Sequence, residues 1–89
     1  MLSSIDLSFN GLLSDEGAIA LAHHLPRSIS EIQLIDCGIG DFGGSALLEW
    51  MNDAYDLRIV NLEQNNLSRE LRSKFEQFAR ENPQVMVTF

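Results

Sequence analysis

The sequence of 89 residues contains one cysteine, two prolines and six basic residues, and each scarcity narrows the class of protein. A single cysteine cannot form an intramolecular disulfide, and no set of cysteines and histidines has the spacing of metal ligands. His23 and His24 are adjacent, so a helix would turn them about 100° apart, unlike the i, i+4 pair of a metal site. We therefore expect no metal, no cofactor and an intracellular, cytoplasmic setting.

Positive charge is scarce as well. Thirteen Asp and Glu residues oppose six Lys and Arg, which gives a formal net charge of −7 at pH 7. Such a surface repels nucleic acid and anionic membranes and favours a basic partner. No apolar run approaches the roughly 20 residues that cross a bilayer, and the N-terminal residues lack a basic segment followed by an apolar stretch. We expect no nucleic-acid partner, no membrane insertion and no targeting segment.

The apolar residues of the sequence form an internal repeat. Apolar residues and a fourth-position Asn or Cys recur with one spacing after 27 and then 28 residues. The three sets are Leu2, Ile5, Leu7, Asn10 and Leu12; Ile29, Ile32, Leu34, Cys37 and Ile39; Leu57, Val60, Leu62, Asn65 and Leu67. Five agreeing positions in three sets are a strong signal of a repeat protein. We interpret Cys37 as a small buried residue of this ladder.

The second half of each unit predicts a helix. Apolar residues there follow the i, i+3, i+4 spacing of one buried helical face. They are Ala18, Leu21, Ala22 and Leu25; Gly44, Leu47, Leu48 and Met51; Leu71, Phe75, Phe78 and Ala79. Ser14 or Asp15, Asp41 and Ser68 are the expected N-caps. A strand followed by a helix cannot bury its apolar face alone, so the units must stack as a solenoid with strands side by side and helices outside.

The three units, LSSIDLSFNGL, ISEIQLIDCGI and LRIVNLEQNNL, resemble the ribonuclease-inhibitor-like class of leucine-rich repeats. The resemblance covers nearly the whole chain. It implies an α/β solenoid with a parallel sheet on the concave side and helices on the convex side, and a habit of binding proteins on the concave face. It does not imply ribonuclease inhibition, because the same architecture serves Ran GTPase activators, immune sensors and actin-capping proteins.

We expect one domain, residues 1–89, with repeats at 1–28, 29–56 and 57–82 and a capping strand at 83–89. Val85, Val87 and Phe89 alternate on one side of that last segment. The N-terminal end carries no comparable cap, so the first strand would leave an open sheet edge. Either the chain is the C-terminal part of a longer array, or another subunit covers this edge by self-association.

The concave face is the candidate partner-binding site. Side chains at alternate strand positions and just beyond them should line it: Asp6, Ser8, Phe9, Glu31, Gln33, Ile35, Asp36, Ile59, Asn61 and Glu63. Four of these are acidic and none is basic, so a basic segment of a partner would dock favourably there. The alternative is a solvated sheet face without a partner.

Catalysis is not expected, because no Ser, His and Asp order and no Cys and His pairing is supported. The runner-up function is a regulatory GTPase-activator-like fragment that uses an exposed arginine, for which Arg27, Arg58 and Arg69 are available. Trp50 and Tyr55 are expected to pack in the core between the second and third helices, and the alternative is an exposed aromatic binding patch on the convex side.

Overall fold

The computed structural model describes residues 3–89, so the predictions that fall on Met1 and Leu2 lie outside the described residues. Strands and helices alternate along the chain, as the repeat predicts. They are β1 (Ser4–Asp6), α1 (Ser14–His24), β2 (Glu31–Gln33), α2 (Asp41–Asp53), β3 (Ile59–Asn61), α3 (Arg69–Glu81) and β4 (Met86–Thr88).

The strands form one four-stranded parallel sheet in the order β1-β2-β3-β4. Ile5 lies beside Ile32, Ile32 beside Val60, and Val60 beside Val87. Because side chains alternate across a strand, this central row points to one face and its neighbours point to the other. Ile32 and Val60 are 1% and 2% exposed, so the central row faces the core.

The core fills the space between the sheet and the helix layer. Leu34 and Leu62 come from the strand ends, and Leu47 and Phe75 come from α2 and α3. All four side chains are almost fully buried. The helical residues predicted to face inward are all buried or half-buried, which confirms the spacing argument.

Asn65 connects the second and third repeats through its side chain. Its Oδ1 accepts from the N–H groups of Cys37 and Ile39, both at 3.0 Å. Its Nδ2 donates to the carbonyls of Leu34 and Leu62 at 2.7 and 3.0 Å. One amide therefore satisfies backbone groups of the turn that no sheet partner reaches. Cys37 is fully buried, as predicted, and its thiol donates to the Leu7 carbonyl at 3.1 Å.

The predicted N-caps are right only for α3. Ser68 is its N-cap, and the Ser68 hydroxyl accepts from the Leu71 N–H at 3.2 Å. The N-caps of α1 and α2 are instead Leu13 and Gly40, and neither makes a side-chain cap hydrogen bond.

Asp15 was expected to cap its own helix, but its carboxylate accepts hydrogen bonds at the start of the next helix. Its Oδ1 accepts from the N–H groups of Gly40 and Gly43 at 2.6 and 3.0 Å, at the start of α2. The prediction was wrong because local spacing does not reveal that the first turn of α1 lies against the first turn of α2. The close approach needs glycine at 43, where a Cβ would lie 2.8 Å from the Ala18 Cβ.

Both ends of the stack are less buried than its middle. Ile5 and Leu7 are half-buried, whereas Ile32 and Leu34 at the equivalent positions of the second repeat are buried. At the other end Phe89 lies against Phe75, with 5.9 Å between ring centroids. Val87 and Phe89, the equivalents of Ile5 and Leu7 at this end, are nevertheless half-buried as well, so packing is incomplete beside both outer strands.

Leu12 and Leu13 compete in the sequence for one inward site, and the structure selects Leu13. For Trp50 and Tyr55 it corrects the prediction of core packing between the second and third helices. Leu12, expected in the ladder, is 100% exposed, and Leu13 turns inward onto Gly17 instead. Trp50 is buried, but its Nε1 donates to the Leu25 carbonyl at the end of α1, and Tyr55 is 73% exposed. Tyr55 lies in the connection after α2, outside the space between helices.

Candidate functional site

The face of the sheet opposite the helices carries two rows of side chains. Strand register aligns the first row as Ser4, Glu31, Ile59 and Met86, and the second as Asp6, Gln33, Asn61 and Thr88. These side chains are exposed or half-buried. The strands contain no Lys or Arg, so the rows present carboxylates, amides and apolar groups without a basic residue. We call this surface the concave face.

Part of the predicted polar surface is used by the fold itself. The Asp6 carboxylate accepts from the Ser8 N–H at 3.0 Å, and the Asn61 carboxamide oxygen accepts from the Glu63 N–H at the same distance. The Ser8 hydroxyl accepts from the Ile35 N–H at 3.0 Å. The first two bonds close the turns that follow β1 and β3, and the third joins the segments that follow β1 and β2. The side chains of Glu31 and Gln33, in the middle of the face, take no part in these three bonds.

Phe9 and Asp36 lie beyond the strands rather than on them. Both adopt positive φ, 65° and 52°, and Gln64 repeats this conformation at 61° in the third repeat. Left-handed backbone reverses the chain after the strand and turns these side chains to the rim where strands lead into helices. The structure thus separates the predicted site into a sheet face and a rim.

Met86 is a member of the first row that the sequence analysis did not include. Its side chain is 64% exposed, next to Ile59 in the register. The alternation of Val85, Val87 and Phe89 already indicated that Met86 points to the opposite side. Its place beside Ile59 follows only from the parallel pairing of β4, and it adds an apolar contact to the end of the face.

Asp41 links the second and third repeats at the rim. Its Oδ1 accepts from the Ser68 N–H at 2.8 Å. This backbone bond, with a side-chain bond from Ser68, holds the pKa of Asp41 below its ordinary value of 3.8. Backbone and side-chain bonds from Ser8 lower the pKa of Asp6 in the same way.

Asp41 should make the stability of the chain depend on pH in the acid range. A carboxylate whose pKa is lower in the folded state stabilises the fold above its unfolded pKa, and that contribution is lost as pH falls below 3.8 through the folded value. Thermal unfolding of the wild type should therefore lose more Tm between pH 6 and about pH 2.5 than unfolding of Asp41→Asn. Parallel curves for the two proteins would contradict this role.

The His, Cys, Asp and Glu side chains are dispersed over the part of the chain that the structure describes. Within residues 3–89, no three His, Cys, Asp or Glu side chains lie together as a metal site would need. His23 and His24 are both exposed on α1. Over the same described part, none of the helices has the length and apolar character to cross a membrane.

Comparison with known proteins identifies the class of fold. A family model described as Leucine Rich repeat matches residues 1–22. Together with the four parallel strands on one side and the three helices on the other, this match assigns the chain a leucine-rich-repeat fold and confirms the predicted fold class. The ribonuclease-inhibitor-like subclass stays a prediction.

A particular solved structure is similar over nearly the whole chain. It is the tropomodulin C-terminal domain from Caenorhabditis elegans, which superposes with a TM-score of 0.84 at 20% sequence identity. The match covers 98% of this chain and 53% of that one, so the chain spans about half of that structure's length. At this identity the likeness concerns the fold. Among curated proteins, no sequence matches significantly.

Proposed function

We propose that the chain is a protein-interaction module whose concave face binds a basic or mixed polar partner. The observation that carries the proposal is the alignment of Glu31 and Gln33 with Ile59 and Asn61 in two adjacent, accessible rows. A rigid parallel sheet holds such side chains at fixed spacing, so little entropy is lost on binding. Catalysis is not part of the proposal.

The outer edge of β1 is a second element of the proposed binding surface. The backbone groups of Glu31 and Gln33 in β2 face β1 and pair with it. The equivalent backbone groups of β1, which face outward, belong to Ser4 and Asp6. No described strand lies beside them. An extended partner segment, or the strand of another repeat, could add to the sheet there through main-chain hydrogen bonds.

Reversing charge on the concave face should weaken the capture of a basic partner. The probe is an immobilised extended peptide of alternating Lys and Gly residues. The variant is Glu31→Lys with Glu63→Lys, because Glu63 is exposed two residues after Asn61, beside the concave face. We expect its affinity to fall by about tenfold or more, because two attractive contacts become repulsive. Binding is measured by biolayer interferometry at low salt and at 0.15 M salt.

The matched control carries Glu49→Lys with Asp53→Lys. Both residues are exposed on α2, away from the sheet, and the control has the same net charge as the test variant. Equal loss of binding in both variants would assign the attraction to net charge and refute the concave face.

A regulatory GTPase-activator-like function is the alternative. It needs an arginine that can reach a nucleotide, and Arg27, Arg58 and Arg69 are all exposed. They do not lie together. Arg27 and Arg58 precede β2 and β3, at the ends where the strands begin, whereas Arg69 is the first residue of α3, beyond the ends where the strands finish. GTP hydrolysis by a Ran-type GTPase, with the chain and with each arginine replaced by alanine, separates the two functions, and no stimulation removes the alternative.

A further inference from the structure

An Asn–Gly pair stands in the connection between β1 and α1. Asn10 has the fourth position of the first repeat, and Gly11 follows it. Residues 9–12 are all exposed. At the positions equivalent to Asn10, Cys37 is buried and Asn65 is half-buried. The first repeat therefore exposes the motif residue that the other two repeats cover.

The Asn10 carboxamide is held by a single hydrogen bond. Its Nδ2 donates to the Leu7 carbonyl at 2.6 Å, and its Oδ1 accepts no bond from residues 3–89. Asn65 makes five side-chain hydrogen bonds, three through Nδ2 and two through Oδ1. Asn10 therefore changes rotamer by breaking one bond, whereas Asn65 must break five.

Gly11 presents an unhindered backbone nitrogen. Apart from its chain neighbours, nothing lies within 4 Å of the position where a Cβ would stand on Gly11. The Gly11 N–H donates to no group in the described part of the chain. Because glycine has no side chain and the widest range of backbone angles, its nitrogen can come closer to the preceding side chain than that of another residue.

The backbone before Asn10 is strained. Phe9 has a φ of 65°, in the left-handed region that bulky residues rarely adopt. Its side chain is 70% exposed, so burial does not offset this cost. Asp36, at the equivalent position of the second repeat, belongs to a residue type that tolerates the region better. Local opening of the turn around Asn10 is therefore less costly than opening of the next turn.

The other five asparagines lack this combination, because each is followed by a residue with a side chain. Asn52 and Asn61 lie within α2 and β3, where regular backbone fixes the next nitrogen. Asn82 precedes Pro83, which has no N–H. The remaining two, Asn65 and Asn66, precede Asn and Leu.

We propose that Asn10 is a site of spontaneous deamidation. The Gly11 nitrogen attacks Cγ of Asn10, so that the N–Cγ bond forms and the Cγ–Nδ2 bond breaks. Nδ2 leaves as ammonia and takes the proton of the Gly11 N–H. Water then opens the cyclic imide. Attack of water at Cγ gives aspartate, and attack at the Asn10 carbonyl carbon gives isoaspartate, whose main chain runs through Cγ.

Both products should loosen the first repeat. A carboxylate cannot donate to the Leu7 carbonyl, as Nδ2 does in the unmodified chain. Isoaspartate also lengthens the main chain by one carbon between Phe9 and Ser14, whose N–H groups donate to the Ile35 and Cys37 carbonyls of the second repeat. Either product adds a negative charge to a chain whose formal net charge is already −7. Asn10 thus makes the attachment of β1 depend on the age of the molecule, whatever partner the chain binds.

The test incubates the full folded chain in mildly alkaline buffer at physiological temperature. Peptide mapping by mass spectrometry, with electron-based fragmentation to separate aspartate from isoaspartate, gives the rate at each asparagine. Asn10 should react about tenfold or more faster than any of the others, because only Asn10 precedes glycine. Hydrogen exchange of the aged chain should be faster in residues 3–13 than in the fresh chain.

Gly11→Ala is the variant that isolates the reaction. The space around Gly11 is open and its φ lies outside the left-handed region, so the variant should keep the wild-type Tm. Its Asn10 should react about tenfold or more slowly, because the added Cβ hinders the nitrogen. The matched control is Leu12→Ser, which changes a side chain that is 100% exposed and should leave the rate unchanged. Asn10→Asp copies one product and should lower Tm by about 4 °C.

Several outcomes would overturn the proposal. These are equal rates at Asn10 and the other asparagines, an unchanged rate in a folded Gly11→Ala chain, or a reaction that occurs only after the chain is unfolded in urea. An aged chain with the Tm and the hydrogen exchange of fresh protein would overturn the loosening of the first repeat.

Discussion

Replacing Asn65 by alanine is expected to lower the free energy of unfolding by about 3 kcal/mol. The substitution leaves the N–H groups of Cys37 and Ile39 without their acceptor, in a turn where both residues are fully buried. It also removes the donor to the Leu34 and Leu62 carbonyls. Each unsatisfied buried backbone group costs about 1 to 3 kcal/mol, so one side chain carries a large share of the contact between repeats.

Asn10→Ala is the matched control, because Asn10 occupies the same motif position in the first repeat. Its Nδ2 donates to the Leu7 carbonyl at 2.6 Å, and the residue is exposed. Its loss should cost less than about 1 kcal/mol. Urea unfolding followed by circular dichroism measures both variants. Similar losses would show that the asparagine acts within its own turn rather than between repeats.

Phe75→Ala is expected to destabilise the fold by about 4 kcal/mol. Phe75 is 0% exposed and is the largest of the fully buried side chains. Its ring lies against Phe89 and within 3.8 Å of the position where a Cβ on Gly44 would stand. Removing it opens a cavity where α3, α2 and the end of the chain meet. A stable domain typically has only 5 to 15 kcal/mol to lose, so partial unfolding at room temperature is an expected consequence.

Phe42→Ala is the matched control, because it makes the same substitution at an exposed position. The Phe42 ring is 80% exposed at the start of α2, so its truncation should change stability by less than about 0.5 kcal/mol. Guanidinium unfolding of the two variants gives the difference. A cost for Phe75→Ala below about 1 kcal/mol would mean that the C-terminal end relaxes around the cavity and is not a packed cap.

The middle of the molecule is its most buried part. Buried residues concentrate in β2, β3 and the faces of α2 and α3, whereas β1 and α1 keep half-buried side chains. The middle of the concave face, on β2 and β3, lies over this buried part.

Several features of the fold were predictable because they depend on short-range pattern. The spacing of apolar residues predicted the strand and helix alternation, since each element must bury one face. Ser68 was predictable as an N-cap because its hydroxyl bonds within its own first turn. Cys37 was predictable as buried because it occupies a ladder position between apolar residues.

Other features could not be predicted, because they depend on contacts between repeats. Asp15 has the sequence position of a local cap, yet its carboxylate reaches Gly40 and Gly43 of the next unit. Leu12 and Leu13 are equivalent apolar choices in the sequence, and only the packing onto Gly17 selects Leu13. Asn10 and Asn65 match in the motif, but only Asn65 is bonded to the turn of another repeat, whose Cys37 and Ile39 N–H groups donate to it.

For the candidate binding surfaces, the division is the same. The sequence alone determined the repeat, the acidic balance and the alternate positions that line the concave face, because periodicity and charge are properties of the chain. Only the tertiary structure decided that Phe9 and Asp36 leave the sheet for the rim, that Met86 joins Ile59, and that Gly43 lies against the first repeat. Left-handed turns and the parallel stacking of repeats create these neighbours, and both arise from contacts between residues about 27 positions apart.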